Sequence, residues 1–99
     1  MNMKVSVKER VLLVMAGWAQ QFDNPPDWLP DVSTQAGILH VGGNPVCATS
    51  EIQTVSCDVE ALFIDTEEAR YSVAIVWPFD GRPSFGDVSC HEWPTEAAV

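Results

Sequence analysis

The stretch SEIQTVSCDVEALFIDTEEARYSVAIVW, residues 50–77, decides the fold, because two different periodicities fit it. Read as strands, apolar residues alternate in two runs that flank a turn at 65–68. The runs are Val55, Cys57, Val59, Ala61 and Phe63, followed by Tyr71, Val73, Ile75 and Trp77. Read as a helix, the first run puts one apolar set within about 100° of arc. That set is Ile52, Val55, Val59, Leu62 and Phe63.

Helix-start signals favour the helical interpretation. Ser50-x-x-Gln53 and Asp65-x-x-Glu68 both have the spacing of a capping box, and acidic residues follow Asp65 at the positive end of a helix. We therefore predict a mainly α domain with three to four short helices and a long connection. The alternative is an α+β fold in which an N-terminal helix packs on an antiparallel hairpin sheet.

The N-terminal helix is predicted by a cap and a stripe. Ser6 and Glu9 have capping-box spacing, which places the helix start at Ser6. Apolar residues then recur every three or four positions. They are Val7, Val11, Val14, Met15, Trp18 and Phe22. Pro25 and Pro26 cannot continue a helix, so we expect it to end near Phe22.

The remaining segments carry mostly turn and loop signals. Residues 23–49 read as a long connection with one turn at 27–29. A connection of this length is unusual in a compact domain, and the sequence leaves open whether 38–41 form a short strand. The pair Gly42-Gly43 lacks the pattern of a phosphate-binding loop and predicts a turn. Near the C-terminus, Ser84 has the position of a cap for a last short helix that carries Phe85, Val88 and Trp93.

Length and charge limit the function classes. The 99 residues suit one domain, 1–99, and the net charge of −9 disfavours direct binding to nucleic acid, which needs cationic side chains at the phosphates. No apolar run is long enough for a membrane span, and the N-terminal residues lack a secretory signal pattern. We therefore expect a cytoplasmic protein without membrane or direct nucleic-acid contacts.

Cysteine and histidine spacing predicts neither a metal site nor a catalytic site. Cys47, Cys57 and Cys90 are widely spaced, and they form no Cys-x-x-Cys pair with which His40 or His91 could complete a zinc site. No nucleophile and base stand at supportive spacing. We expect no catalytic residue, no metal and no cofactor.

Several spaced residues resemble the phage late-gene antitermination proteins of the Q type. The shared positions are Leu12-x-x-Met15-x-x-Trp18-Ala19, Val55 and Val59 before Leu62, Ala74-Ile75-Val76-Trp77, and Gly81 leading to Ser84 and Val88. The resemblance implies an N-terminal helix, two further helices and a helix-turn-helix. However, Pro94 leaves no room for a recognition helix.

The resemblance therefore implies a regulator that binds a host protein, such as RNA polymerase, without reading DNA. We predict a partner-binding surface made of Trp28, Asp58, Glu60, Glu67 and Glu68, because exposed Trp anchors interfaces and the acidic residues would attract a basic partner. The alternative function is an inhibitor whose carboxylates mimic nucleic-acid phosphates and block a nucleic-acid-binding enzyme such as a nuclease. An acidic surface that only keeps the protein soluble is a further alternative.

Overall fold

The computed structural model describes residues 6–20, 31–76 and 83–94, which form one helix and two antiparallel sheets. The helix is α1 (Val7–Ala19). Sheet A has the order β1-β2-β3, with β1 (Val32–Gln35), β2 (Ile38–Val41) and β3 (Asn44–Ala48). Sheet B has the order β4-β5-β6-β7, with β4 (Ile52–Cys57), β5 (Ala61–Thr66), β6 (Ala69–Val76) and β7 (Ser84–Glu92). A single 3-10 turn, Thr49–Glu51, joins the two sheets.

The prediction of a mainly α fold is wrong, because residues 52–76 form three strands. The capping-box spacing at 65–68 belongs to a hairpin turn. The Thr66 hydroxyl oxygen accepts hydrogen bonds from the backbone N–H groups of Glu68 (3.3 Å) and Ala69 (3.0 Å), and the hydroxyl donates to the Ala69 carbonyl (3.1 Å). Short polar side chains satisfy backbone groups in turns as readily as at helix starts, so this local pattern does not distinguish the two.

The α+β alternative fits the structure better, but its single hairpin omitted a turn. The Asp58 carboxylate accepts hydrogen bonds from the backbone N–H groups of Glu60 (2.8 Å) and Ala61 (3.0 Å), which closes the turn between β4 and β5. This turn interrupts the alternation predicted from Val55 to Phe63. In β5 the buried residues are Leu62, Ile64 and Thr66, whereas Phe63 faces the other side of the sheet.

Two other predicted helices are also strands or turns. Ser84 begins β7 and caps no helix, and Ser50 lies in the 3-10 turn that leads directly into β4. The helices that the antitermination resemblance implies around Val55 and Val88 are strands as well. Pairing with β6, a contact remote in sequence, decides the conformation of β7.

The N-terminal helix is confirmed together with its cap. The Ser6 hydroxyl oxygen accepts a hydrogen bond from the Glu9 backbone N–H at 3.1 Å, and the predicted stripe buries Val11, Met15 and Trp18. The helix ends at Ala19. It therefore ends before the predicted end near Phe22.

The prediction of a long connection over 23–49 is wrong for its described part, because residues 32–48 form the three strands of sheet A. β2 lies at 38–41, where the sequence left a short strand open, and the predicted turn at Gly42-Gly43 is confirmed as the β2–β3 turn. Both glycines adopt positive φ, +61° and +81°, where a side chain is strained. The predicted turn at 27–29, and Trp28 with it, lies outside the described residues.

The core forms where α1 and sheet A pack on one face of sheet B. Its fully buried large side chains come from α1, β2, β5 and β6. They are Val11, Leu39, Val41, Leu62, Ile64 and Val73. This inner face of sheet B continues past the core toward the β5–β6 turn. Within the described ranges, no helix is long and apolar enough to cross a membrane.

The β2–β3 turn of sheet A lies close to β7 of sheet B at Gly42. Substitutions at this turn therefore test the packing of the two sheets. A Cβ at Gly42 would lie 2.7 Å from the Phe85 Cβ of β7, whereas a Cβ at Gly43 has no atom within 4 Å. We expect Gly43→Ala to cost about 1 kcal/mol through its positive φ. Gly42→Ala should cost about 3 kcal/mol, because overpacking adds to that strain. Urea denaturation measures both, and equal losses would contradict the packing of this turn on β7.

Candidate binding groove

An acidic groove of about 620 Å³ opens at one end of sheet B. It lies where the β5–β6 turn, the C-terminal end of β7 and the 3-10 turn after β3 meet. Its lining residues are Glu51, Thr66, Glu67, Glu68, Ala69, Tyr71, Cys90, Glu92, Trp93 and Pro94. A second depression of about 320 Å³ adjoins it, since Glu51, Thr66, Glu67 and Glu68 also line that one. Together the two depressions form an extended concave surface.

Strand register and turn geometry explain how distant residues meet in this groove. Tyr71 pairs with Cys90, and Ala69 pairs with Glu92, so these four side chains share the inner face of sheet B. The buried Thr66 fixes the β5–β6 turn, whose two glutamates are exposed. The groove is therefore built on paired strands and a hydrogen-bonded turn.

The groove carries four glutamates, Glu51, Glu67, Glu68 and Glu92, and none of them forms an ion pair with a described basic side chain. Of the described basic side chains, Arg70 pairs with Asp65, and Arg10 donates to the Gln53 carbonyl at 3.0 Å. Lys8 lies on α1. Within the described part of the chain, the Asp65–Arg70 pair is the only ion pair, so the groove keeps a concentrated negative charge.

Trp93 forms a fixed aromatic wall at the rim. Its indole N–H donates to the Thr66 carbonyl at 2.9 Å, and its backbone N–H donates to the Glu68 carbonyl at 2.9 Å. The Arg70 guanidinium lies 5.4 Å from the Trp93 ring centroid and 4.8 Å from the Phe63 ring centroid. Trp93 as a whole is nevertheless 38% exposed.

The ion pair behind this wall is bidentate. Arg70 Nε lies 2.7 Å from Asp65 Oδ1, and Arg70 Nη2 lies 2.9 Å from Asp65 Oδ2. The Thr54 hydroxyl donates to the same carboxylate at 3.1 Å. The hydrogen bonds from Arg70 hold the pKa of Asp65 below its usual range. A carboxylate held in this way is a weak base, so the cluster orients Arg70 under Trp93 and is poorly suited to proton transfer.

The thiols nearest to the core are held in the protonated form. Burial raises the pKa of Cys47 to about 11, and burial raises the pKa of Cys57 to about 12. Burial also raises the pKa of Tyr71 in the groove floor, and the neighbouring Cys90 adds to that effect. Cys90 is exposed. The thiolate is the nucleophilic form of cysteine, so Cys47 and Cys57 are poor nucleophiles at neutral pH.

The structure divides the predicted partner surface between two ends of sheet B. Glu67 and Glu68 line the groove, whereas Asp58 and Glu60 lie in the β4–β5 turn at the other end of β5. At about 3.3 Å per residue, the strand separates the two turns by roughly 20 Å. The Asp58 carboxylate also accepts the two backbone hydrogen bonds that close the β4–β5 turn. Trp28, the fifth predicted residue, lies outside the described residues.

Of the ten groove residues, the predicted surface contained only Glu67 and Glu68, and it missed the charged and aromatic residues Glu51, Glu92 and Trp93. Period-two alternation across 88–92 contained the signal, because it places Glu92 on the same face as Val88 and Cys90. The approach of Glu51 has no comparable local signal, since it depends on how the two sheets join.

The described residues hold no group of three or more histidine, cysteine or acidic side chains that could bind a metal ion. His40 Nδ1 lies 3.1 Å from the Ile38 carbonyl oxygen of its own strand. Comparison of the chain with protein-family models, curated proteins and solved structures finds no match.

The reactivity of the three thiols tests the burial of Cys47 and Cys57 and the exposure of Cys90. At pH 8, Cys47 and Cys57 hold less than about one thiolate in a hundred, so we expect iodoacetamide to modify exposed Cys90 first. Mass spectrometry of the folded and the urea-unfolded protein measures the order. In the unfolded chain all three thiols should react at similar rates, and early modification of Cys47 in the folded protein would contradict its burial.

The Asp65–Arg70 pair makes stability depend on pH. Because the folded-state pKa of Asp65 is lowered, its contribution is present above the unfolded pKa of about 4 and is lost as pH falls through the folded value. We expect Asp65→Asn to lower the melting temperature by a few degrees at pH 7. The difference from wild type should shrink toward pH 2. Glu60→Gln is the control, since Glu60 is exposed, and a difference that persists at pH 2 would exclude this electrostatic origin.

Proposed function

We propose that this protein is a binding module that holds a basic, lysine- or arginine-containing segment of a partner protein in its acidic groove. The observation that carries the proposal is the set of four groove glutamates that form no ion pair with a described basic side chain, next to the partly exposed Trp93. Carboxylates attract the lysine ammonium and arginine guanidinium groups of such a segment. An aromatic ring attracts the same cationic groups through its quadrupole.

Charge supports association with a cationic partner over a neutral one. The net charge is −9, and the groove concentrates part of that charge in a concave surface. Such a field speeds the encounter with a basic surface and repels acidic proteins. Individual exposed pairs contribute only about 0.2–1 kcal/mol, so we expect affinity to come from several of them together and to fall with salt.

Host regulation is the biological setting that we propose for this binding. RNA polymerase and nucleic-acid-binding enzymes expose basic segments, so RNA polymerase is the first partner to test. The helices that the antitermination resemblance implies are strands in this protein, so the resemblance does not support this choice. Nucleic-acid mimicry is a narrower form of the same proposal, in which the captured segment belongs to the partner's own nucleic-acid site. Duplex DNA would then compete with this protein for the partner.

A charge-matched pair of double variants tests the groove. The probe is a fluorescein-labelled eight-residue peptide with alternating lysine and threonine, and fluorescence anisotropy measures its Kd. We expect Glu67→Gln with Glu68→Gln to weaken binding about fivefold, which corresponds to about 1 kcal/mol for two surface pairs. Raising salt from 20 to 200 mM should weaken binding by wild type further than binding by the variant.

The control removes the same number of charges from the other end of sheet B. Asp58→Asn with Glu60→Gln keeps the carbonyl oxygen that closes the β4–β5 turn and should leave the Kd within about twofold. Equal losses in the two double variants would mean that only net charge matters and that the acidic residues serve solubility. If the peptide does not bind wild type at all, the groove does not hold a basic segment.

A further inference from the structure

The outer edge of β7 is open along its C-terminal part. β7 (Ser84–Glu92) pairs with β6 on one side, sheet A packs against it near Phe85, and no described strand pairs with residues 88–92 on the other side. Its last four residues, 89–92, are all exposed. Cys90 and Glu92 from this strand also line the acidic groove. The open edge and the groove are therefore one continuous surface.

The hydrogen-bond pattern shows which backbone groups face outward from this edge. The Trp93 N–H donates to the Glu68 carbonyl, which makes Trp93 a hydrogen-bonded position of the β6–β7 ladder. Hydrogen-bonded positions alternate along an antiparallel strand. His91 and Ser89 therefore also bond to β6. Val88, Cys90 and Glu92 direct their N–H and C=O groups away from β6.

The other three outer strands each carry a feature that hinders pairing. β3 contains Pro45, which has no N–H to donate. β4 lies against α1, and the Arg10 guanidinium caps the Gln53 carbonyl. β1 has only four residues and also packs against α1. Of the outer strands in the described ranges, β7 is the one whose edge is long and free of proline and lysine.

We propose that a basic segment of the partner binds as an extended strand along β7, paired antiparallel through Val88, Cys90 and Glu92. This inference rests on the proposed function and specifies how the groove is used. Side chains of an added strand opposite these three residues point to the inner face, as do Cys90 and Glu92 themselves. Alternate side chains of the segment thus enter the groove, so its recognition sequence has lysine or arginine at every second position.

Charge selects the occupant of this edge. A second copy of the chain also carries a net charge of −9 and brings its own acidic groove, so pairing of two β7 edges works against repulsion. A cationic strand gains both the main-chain hydrogen bonds and the attraction of Glu67, Glu68 and Glu92. This complementarity favours a basic segment over self-association.

Backbone methylation of the probe peptide tests the pairing without altering the protein. Two versions of the alternating lysine–threonine peptide carry the same number of N-methyl groups, on the lysines in one version and on the threonines in the other. In an antiparallel pair the lysine N–H groups face β7, so we expect lysine methylation to weaken binding at least tenfold. Threonine methylation should change the Kd by less than threefold, because those N–H groups face away from β7.

A protein variant tests the same edge from the other side. Cys90→Pro removes an outward N–H and breaks no bond to β6, and Cys90→Ala removes the thiol while it keeps that N–H. We expect the proline variant to bind the unmethylated peptide about tenfold more weakly than the alanine variant. Circular dichroism and thermal melting check that both variants are folded. If the proline variant is unfolded, the two methylated peptides decide the question alone.

The outcomes separate this inference from the proposed function. If the two methylated peptides bind equally well while Glu67→Gln with Glu68→Gln still weakens binding, the groove holds a basic segment but strand pairing is overturned. Stronger loss on threonine methylation would overturn the antiparallel direction. If the unmethylated peptide does not bind wild type, both proposals fail. A dimer that Cys90→Pro abolishes, seen by sedimentation, would assign the edge to a second copy and overturn the inference.

Discussion

Burial of one face of β5 is the constraint on which the rest of the structure depends. Leu62 and Ile64 have no exposed surface, and Thr66 continues the same face to the end of the strand. α1, sheet A and the flanking strands β4 and β6 all pack on or beside this face. Burying such side chains contributes about 1.5–3 kcal/mol each, so a one-residue shift of register would expose the strand's apolar set to water.

The candidate groove is a consequence of the same alternation. Thr66 is the last inward residue of β5, and its hydroxyl forms the turn that exposes Glu67 and Glu68. β7 returns beside that turn and brings Glu92 and Trp93 with it. The acidic residues are therefore held by paired strands and turn bonds. A site held this rigidly loses little entropy when it binds, which favours recognition of an extended segment.

The two ends of sheet B differ in what their acidic residues do. At the β4–β5 turn, the Asp58 carboxylate accepts hydrogen bonds from two backbone N–H groups and thereby stabilises the turn. At the β5–β6 turn the Thr66 hydroxyl accepts the backbone hydrogen bonds. The neighbouring Glu67 and Glu68 side chains take no part in these bonds and line the groove. Acidic residues that look equivalent in the sequence thus separate into structural and exposed sets, and composition alone cannot assign them.

The sequence by itself determined α1, its cap at Ser6, the Gly42-Gly43 turn and the excess of acidic residues. Helix caps, stripes and glycine turns depend on interactions within a few residues, which a local pattern contains. Only the tertiary structure decided that residues 52–76 are strands and that Glu51, Glu68 and Glu92 share a groove. Helical and strand periods both fitted that stretch, and the deciding contacts join positions far apart in the chain, such as Trp93 with Thr66.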